Sequence, residues 1–372
     1  VYWRGLNMFT VRQLAAKVNT VCFSMGVIAM LLFLAITSVT CGMSIANVMN
    51  ENLERYNPAD MSQTYVYYTP DTLDYYKEYV NPSEADRMVL ADATVDLYAA
   101  WHGDRIDPDN VADGIKGKSA DNNDETGKKV DISDVAGEHV QIDSYLSYPL
   151  GGSDPSVTPS EMCKTMGEKL PKALGGSNAD AMGLFVTPAS QYNKLRQMMG
   201  EEPVHIGHDQ YLLTCDMGGE LVDMYTKYMA GGHALTWGGH MLKPATDKSD
   251  EDTAAIATSA MGSTPGTVVV ADELLSQLNL QPYSSSLLVN YKQGMDTTEA
   301  DESIKYTVLD NLLVDGKESG SWGTFITRSE MYTQAAQMNG LISYLAIYIG
   351  FVLVVACAAI LSIQQLSNVA DG

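Results

Sequence analysis

Basic residues are scarce in this chain. Lysine and arginine number 23 among 372 residues, against 46 aspartates and glutamates, for a formal charge of −23. A nucleic-acid binder needs a clustered basic face to neutralise phosphates, and there is no surplus of cations to build one. Catalytic signatures are missing as well. No GxSxG or HExxH pattern occurs and no Ser-His-Asp constellation stands out, so no catalytic residue is assigned.

Charge is also absent from two long stretches, Val18 to Asn50 and Met331 to Ala370, which hold no Asp, Glu, Lys or Arg. Inside them lie the apolar runs Val21–Ile45 and Leu341–Ile363. A helix needs about 20 mostly apolar residues to cross the hydrocarbon core, and both runs meet that length. The first is a poor signal peptide: it lies too deep in the chain, its apolar core is too long, and residue 1 is Val rather than Met. The missing Met suggests a fragment or a processed chain. Gly26, Ala29, Gly350 and Ala356 are candidates for close helix packing within the spans.

The flanks orient these spans. Residues before Asn19 contain Arg4, Arg12 and Lys17 and no acid, whereas Glu51 to Glu330 hold 20 basic and 45 acidic residues. The positive-inside tendency weighs short flanks, so the N-terminus is expected in the cytoplasm and the middle portion outside. Residues 1–18 carry Val11, Leu14, Ala15 and Val18 at helical spacing, with Tyr2 and Trp3 before them. They read as an amphipathic helix on the inner membrane surface, the alternative being the start of the first span.

The expected class is therefore a membrane protein, two transmembrane α-helices flanking a large mixed α+β extracellular domain. Residues 19–50 form the first span with its outer extension, 51–330 the outer domain, 331–366 the second span with its outer approach, and 367–372 a cytoplasmic start. Within the outer domain, Thr64–Tyr68, His139–Tyr148, Ala181–Val186, Gln210–Cys215, Thr267–Val270 and Ser286–Tyr291 read as strands, short, β-branched or aromatic, and bounded by turn residues. Ser83–Trp101, Ser190–Met199, Glu220–Met229 and Ala271–Leu278 read as helices. Gly103–Gly137 (103–137) is rich in Asp, Asn, Gly and Lys and reads as a mobile acidic insertion, too poor in apolar residues to offset its ordering entropy. Leu242–Gly266 reads as a second loop.

Several near-motifs fail. Gly114–Ser119 hints at a phosphate loop, but position 112 is alanine where the pattern needs glycine. Asp121–Asp131 hints at a calcium loop, but Ser133 stands at the closing position. His102, His139, His205, His208, His233 and His240 lack the spacing of a zinc set, so no metal is expected. Of five cysteines, Cys22, Cys41 and Cys357 lie in the runs. Cys163 and Cys215 lie outside, where bridges persist, and are a candidate disulfide; two small buried thiols are the alternative.

Three stretches look familiar. NMFTVRQLAAKVNT (Asn7–Thr20) running into a span, YNKLRQMMGEEPV (Tyr192–Val204) followed by DQYLLTCD (Asp209–Asp216), and YLAIYIGFVLVVACAAILSIQQLSNVADG (Tyr344–Gly372) resemble FtsX-like permeases of ABC transporters, bacitracin-export branch. The resemblance implies the second membrane half of such a permease with its extracellular domain. It also implies a separate ATPase partner that binds the ATP, no cofactor in this chain, and further transmembrane helices elsewhere. The coupling segment that follows the second span in that family is expected beyond Gly372. The implied function is mechanical: ATPase-driven helix motion reaches an outer domain that handles an antimicrobial peptide or lipid-linked compound. A two-pass sensor shares the layout and is the alternative; a membrane-anchored hydrolase is disfavoured by the failed motifs.

Overall fold

No proline occurs before Pro58 or after Pro282, so nothing in the covalent chain interrupts helix in either apolar run. The computed structural model describes residues 7–56, 59–80, 82–101, 115–119, 131–152, 157–174, 183–216, 219–249, 264–305 and 309–370. The elements begin with helix α1 (Asn7–Tyr56), strand β1 (Met61–Tyr67), α2 (Pro70–Tyr75) running into a π turn (Tyr76–Val80), α3 (Pro82–Ala85), α4 (Leu97–Trp101), β2 (Ile115–Ser119) and α5 (Ile132–Val135). Next come β3 (Ala136–Pro149), α6 (Pro159–Met166), β4 (Phe185–Pro188), α7 (Ala189–Met198), β5 (Gln210–Thr214), α8 (Glu220–Ala230), β6 (Leu235–Trp237) and β7 (His240–Pro244). The chain ends with β8 (Thr267–Val270), α9 (Asp272–Leu278), β9 (Leu280–Tyr291), α10 (Thr297–Lys305), β10 (Leu309–Val314), β11 (Lys317–Glu318), β12 (Gly320–Thr327) and α11 (Arg328–Ala370). They fall into two units, residues 1–51 with 333–372, and residues 52–332.

The first unit is an antiparallel pair, most of α1 against most of α11. Cys357 Sγ lies 3.8 Å from the Ile28 carbonyl. Gly350 faces Ala35 and Val39, and Gly42 faces Ala346. On α1 the buried positions Ile28, Ala35 and Gly42 recur every seventh residue, the spacing of a left-handed seam. Glycine is required at two of these contacts. A Cβ on Gly42 would sit 2.5 Å from the Ala346 Cβ, and one on Gly350 2.9 Å from Val39 Cγ2. Of the small residues singled out in the sequence, Gly350 belongs to the seam; Gly26 faces open space, Ala29 is exposed and Ala356 half-buried.

Outside the seam the apolar windows of both helices, within Cys22–Asn47 and Arg328–Leu366, are largely bare. Only 11% of the apolar window of α1 and 17% of that of α11 is buried. Phe23, Phe33, Ile36, Ile347, Phe351 and Ile363 are all more than half exposed. Each helix is long and apolar enough to cross a bilayer. Hydroxyls on the bare faces bond to their own helix. Thr37 donates to the Phe33 carbonyl, Thr40 to the Ile36 carbonyl at 2.8 Å, and Ser362 to the Ala358 carbonyl at 2.8 Å. Of residues 1–18, expected as an amphipathic helix, 7–18 are continuous with α1, while 1–6 lie outside the described residues.

The second unit is built on a nine-stranded mixed sheet ordered β12-β1-β9-β3-β4-β8-β5-β7-β6, with a small sheet β11-β10-β2 beside it. Among the described residues, β4–β8 and β5–β7 are the parallel strand pairs of this sheet. Of the apolar cores against the large sheet, two are the most extensive among the described residues. One gathers Leu213, Tyr225, Val268, Val269 and Leu274 from β5, α8, β8 and α9. The other gathers Tyr65, Tyr67, Leu97, Trp101, Leu287 and Leu312 from β1, α4, β9 and β10. Adjacent Val268 and Val269 are both fully buried, which is why β8 reads as an unbroken apolar run rather than an alternating one.

Ser83–Trp101 is not one helix. Only Pro82–Ala85 and Leu97–Trp101 are helical. Between them Met88 bridges to Glu318, and the Val89 N–H donates to the Glu318 carbonyl at 2.8 Å. Tertiary partners hold the segment extended there, and they outweigh its helical periodicity. The Gly103–Gly137 stretch also carries more structure than expected. Ile115–Ser119 forms β2 against β10, and Ile132–Val135 forms α5, capped by Asp131 and burying Ile132 and Val135. The rest of that stretch, residues 103–114 and 120–130, lies outside the described residues. Gly117, Lys118 and Ser119 sit on a strand, not at a helix start where a phosphate loop would place them.

Candidate functional site

Four polar side chains converge on one buried carboxylate beneath a cleft. Strand β3 brings Gln141 and Asp143 to the same side, two residues apart. Helix α7 places Gln191 above them, and the extended segment before α4 adds Thr94. Asp143 is 4% exposed and takes a full set of donors. Gln141 Nε2 (2.8 Å) and Ser285 Oγ (2.5 Å) donate to Oδ1; Gln191 Nε2 (2.7 Å) and Thr94 Oγ1 (3.1 Å) donate to Oδ2. Gln191 also accepts the Asp143 N–H at 2.7 Å. The second face of Gln141 is taken too: its Oε1 accepts from the Leu97 N–H at 2.8 Å and its Nε2 donates to the Val95 carbonyl at 2.9 Å. Tyr67 joins through its hydroxyl, 2.8 Å from Ser285 Oγ and accepting the Val95 N–H at 2.8 Å.

The cleft above this floor encloses about 390 Å³, and Thr94, Asp96, Tyr98, His139, Gln191 and Lys194 contribute to its walls. His139 stacks on Tyr98 with ring centroids 4.0 Å apart and planes parallel within 1°. Both Asp143 oxygens are saturated, so proton transfer through that carboxyl would first have to break its own network. Chemically, the floor offers rigidity, while the rim offers a carboxylate, an ammonium and a flat aromatic pair to a polar ligand.

A second cluster binds together the points where the sheet unit begins and ends. Arg328 Nη1 lies 3.4 Å from Asp60 Oδ1, and its Nε donates to the Ala59 carbonyl at 3.2 Å. The other Asp60 oxygen accepts the Tyr291 N–H at 2.9 Å. Tyr291 donates its phenol to Asp301 at 2.6 Å, and Ser329 donates to the same carboxylate. Strands β1 and β12 pair here with Met61 opposite Thr327. Gly320, at the far end of this pairing, has no room for a side chain: a Cβ would sit 2.2 Å from the Val66 carbonyl and 2.9 Å from Tyr67 Cα. Gly320→Ala is expected to cost about 2 kcal/mol by overpacking. Denaturant unfolding of the full chain in detergent measures it, and a change below about 0.5 kcal/mol would mean the strands part freely.

Burial pushes the Tyr65 phenol up to about 12, against hydrogen bonds from Ser319 and Leu312 that pull the other way. Burial drives Tyr67 further up. Below the ordinary phenol value of 10 neither state ionises. Above it the unfolded chain sheds protons that the fold retains, so stability falls as pH rises from 10 through 12. The expected alkaline titration shows phenolate absorbance rising together with loss of tertiary circular dichroism. Tyr67→Phe should lower stability at neutral pH, because it strands the Val95 N–H, yet flatten the fall in stability above pH 10; an unchanged slope would remove Tyr67 as a cause.

The candidate disulfide is not formed: Cys163 and Cys215 are both buried thiols, each with its own neighbours. Cys163 points to Met224 Sδ at 3.3 Å and Cys215 to the Thr264 carbonyl at 3.5 Å. Burial, with Glu168 adding to it, pushes the Cys163 thiol up and keeps it inert. His208 and His240 approach, ring centroids 6.2 Å apart, while His233 stacks on Tyr228. Among the described residues no three His, Cys, Asp or Glu side chains group to hold a metal; His102 lies outside them. Sequence reasoning passed over Thr94, Gln141, Gln191 and Ser285. The trace they left was Gln141 beside Asp143 inside a strand pattern, where apolar residues are the rule. No family model matches the chain, and no curated protein does.

Proposed function

We propose that this chain is part of an FtsX-like permease, with α1 and α11 crossing the bilayer and the sheet unit outside the cell, and that it acts by passing helix movement into the sheet. The observation that carries this reading is the shortness of both joins. Helix α1 ends at Tyr56 and β1 begins at Met61; β12 ends at Thr327 and α11 begins at Arg328. Strands β1 and β12 are paired neighbours. In this reading, displacement of either helix enters the sheet through these short covalent joins, at one hydrogen-bonded strand pair that the Asp60–Arg328 ion pair reinforces.

Membrane insertion is supported by register. Ile28 meets Cys357 and Gly42 meets Ala346, so the two charge-free runs lie side by side over the same length, about 35 Å at helical rise, enough for the hydrocarbon core. A water-soluble helical hairpin has no reason to align its uncharged stretches, nor to leave so much apolar surface bare. Arg4, Arg12 and Lys17 keep the N-terminus cytoplasmic. Hydrolysis of ATP belongs in this reading to a separate ABC-type subunit. Further membrane helices complete the permease, and the sheet unit handles a peptide or lipid-linked substrate without covalent chemistry.

The test is purification of the full chain from its native membrane in mild detergent. The expected result is a co-purifying subunit with a phosphate-binding loop whose ATPase rate rises with the bound chain. A short Gly-Ser linker inserted between Thr327 and Arg328 should uncouple that stimulation while leaving both partners together. A partner set without any ATPase, or stimulation indifferent to the linker, would overturn the proposal.

A further inference from the structure

Helix α2 and its π turn, Pro70–Val80, bury none of their residues. Yet the segment carries Leu73, Tyr75, Tyr76, Tyr79 and Val80. Tyr79 is 68% exposed and Tyr75 56%. Their ring centroids are 5.5 Å apart at 33°, and Tyr76 meets Tyr75 edge-on at 6.3 Å. Isolated exposed aromatics are ordinary; a contiguous phenol face on an otherwise unpacked helix is not. The π turn is itself a costly geometry, concentrated where side chains must be presented.

Carboxylates flank the tyrosines along the chain. Asp71, Asp74 and Glu78 share the segment and Glu84 follows it. The single cation among them, Lys77, lies 3.7 Å from Asp74 and leaves the face net acidic. Aromatic faces attract cations through their quadrupole, guanidinium above all, and nearby carboxylates reinforce that attraction. Lipid headgroups, zwitterionic or anionic, bring no net positive charge to match these carboxylates. A second copy would press the same acids against themselves. We propose that Pro70–Val80 is a docking face for a cationic, arginine-bearing polypeptide segment, which lays guanidinium groups over Tyr75 and Tyr79 between Asp74 and Glu78. The face belongs to the sheet unit alone and stands whether or not the permease reading holds.

The experiment uses the full chain in phosphatidylcholine nanodiscs with fluorescent octa-arginine as the probe. Binding should weaken as salt rises. Y75A/Y79A, on exposed positions, should weaken it about tenfold, and Y75F/Y79F, which keeps the rings, should stay within about threefold of the unsubstituted chain. D74N/E78Q should weaken binding and flatten its salt dependence. Equal binding by Y75A/Y79A and the unsubstituted chain would overturn the proposal in favour of a diffuse acidic field. So would a tyrosine-dependent dimer in sedimentation, or tyrosine-dependent binding to phosphatidylglycerol vesicles in place of peptide binding.

Discussion

Replacing Asp143 by alanine should cost about 4 kcal/mol of stability, because it leaves the donors around a buried carboxylate with nothing to meet. Gln141, Gln191, Thr94 and Ser285 all point at that carboxylate. The hydroxyls can rotate away; the amides cannot. Gln191 is fixed by accepting the Asp143 N–H, and Gln141 by accepting from Leu97 while donating to Val95. For the same reason the isosteric Asp143→Asn is not benign. Whichever way the asparagine turns, its NH₂ meets one of these two locked amide donors, and a loss of about 2 kcal/mol is expected. Denaturant unfolding of the full chain in detergent, followed by near-ultraviolet circular dichroism, compares the three proteins. The order expected is unsubstituted, Asn, Ala. If Asp143→Asn matched the unsubstituted chain, the amide orientations would be wrong, and with them the rigid floor under the cleft.

That network shows where reading the chain as text succeeds and where it stops. Strands β1, β3, β5, β8 and β9 were legible because each carries a β-branched or aromatic run between turn residues, and helices α7, α8 and α9 because their apolar positions recur at helical spacing. Strand β4 was found but placed too early: its pairing with β8 begins at Phe185. Segment 83–101 misled for a physical reason. Its helical periodicity is real, but the Val95 and Leu97 N–H groups are satisfied by the Tyr67 hydroxyl and the Gln141 amide, partners far away in sequence. Strand β12 was invisible because Gly-Ser-Trp-Gly-Thr shows neither period; only its register against β1 makes it a strand. The floor of the cleft was unreadable because Asp143 is met there by glutamine, threonine and serine, residues whose ordinary place is the surface. The anchoring cluster joins Asp60 to Arg328, a pairing that no local pattern encodes.

On the proposed membrane reading, Phe33→Arg should expel α1 from the bilayer. Phe33 stands at the centre of Val21–Ile45 and is 65% exposed, away from the seam with α11. In water, an arginine at so exposed a position would change stability by no more than about 0.5 kcal/mol, and the chain would become more soluble. In lipid the same change costs about 3 kcal/mol at insertion. The twelve helical residues on either side put the nearest interface about 18 Å away, beyond the reach of a snorkelling arginine. Val352→Arg, at the middle of Leu341–Ile363 and 46% exposed, should behave alike. Met241→Arg is the control: equally exposed at 64%, but in the sheet unit, where it should change nothing. Alkaline carbonate extraction of membranes separates the outcomes. The unsubstituted chain and Met241→Arg should stay in the pellet, while Phe33→Arg and Val352→Arg should shift substantially to the supernatant or be degraded. If all four proteins partitioned alike, the bare apolar faces of α1 and α11 would not be facing lipid, and the mechanical reading would lose the membrane it pushes against.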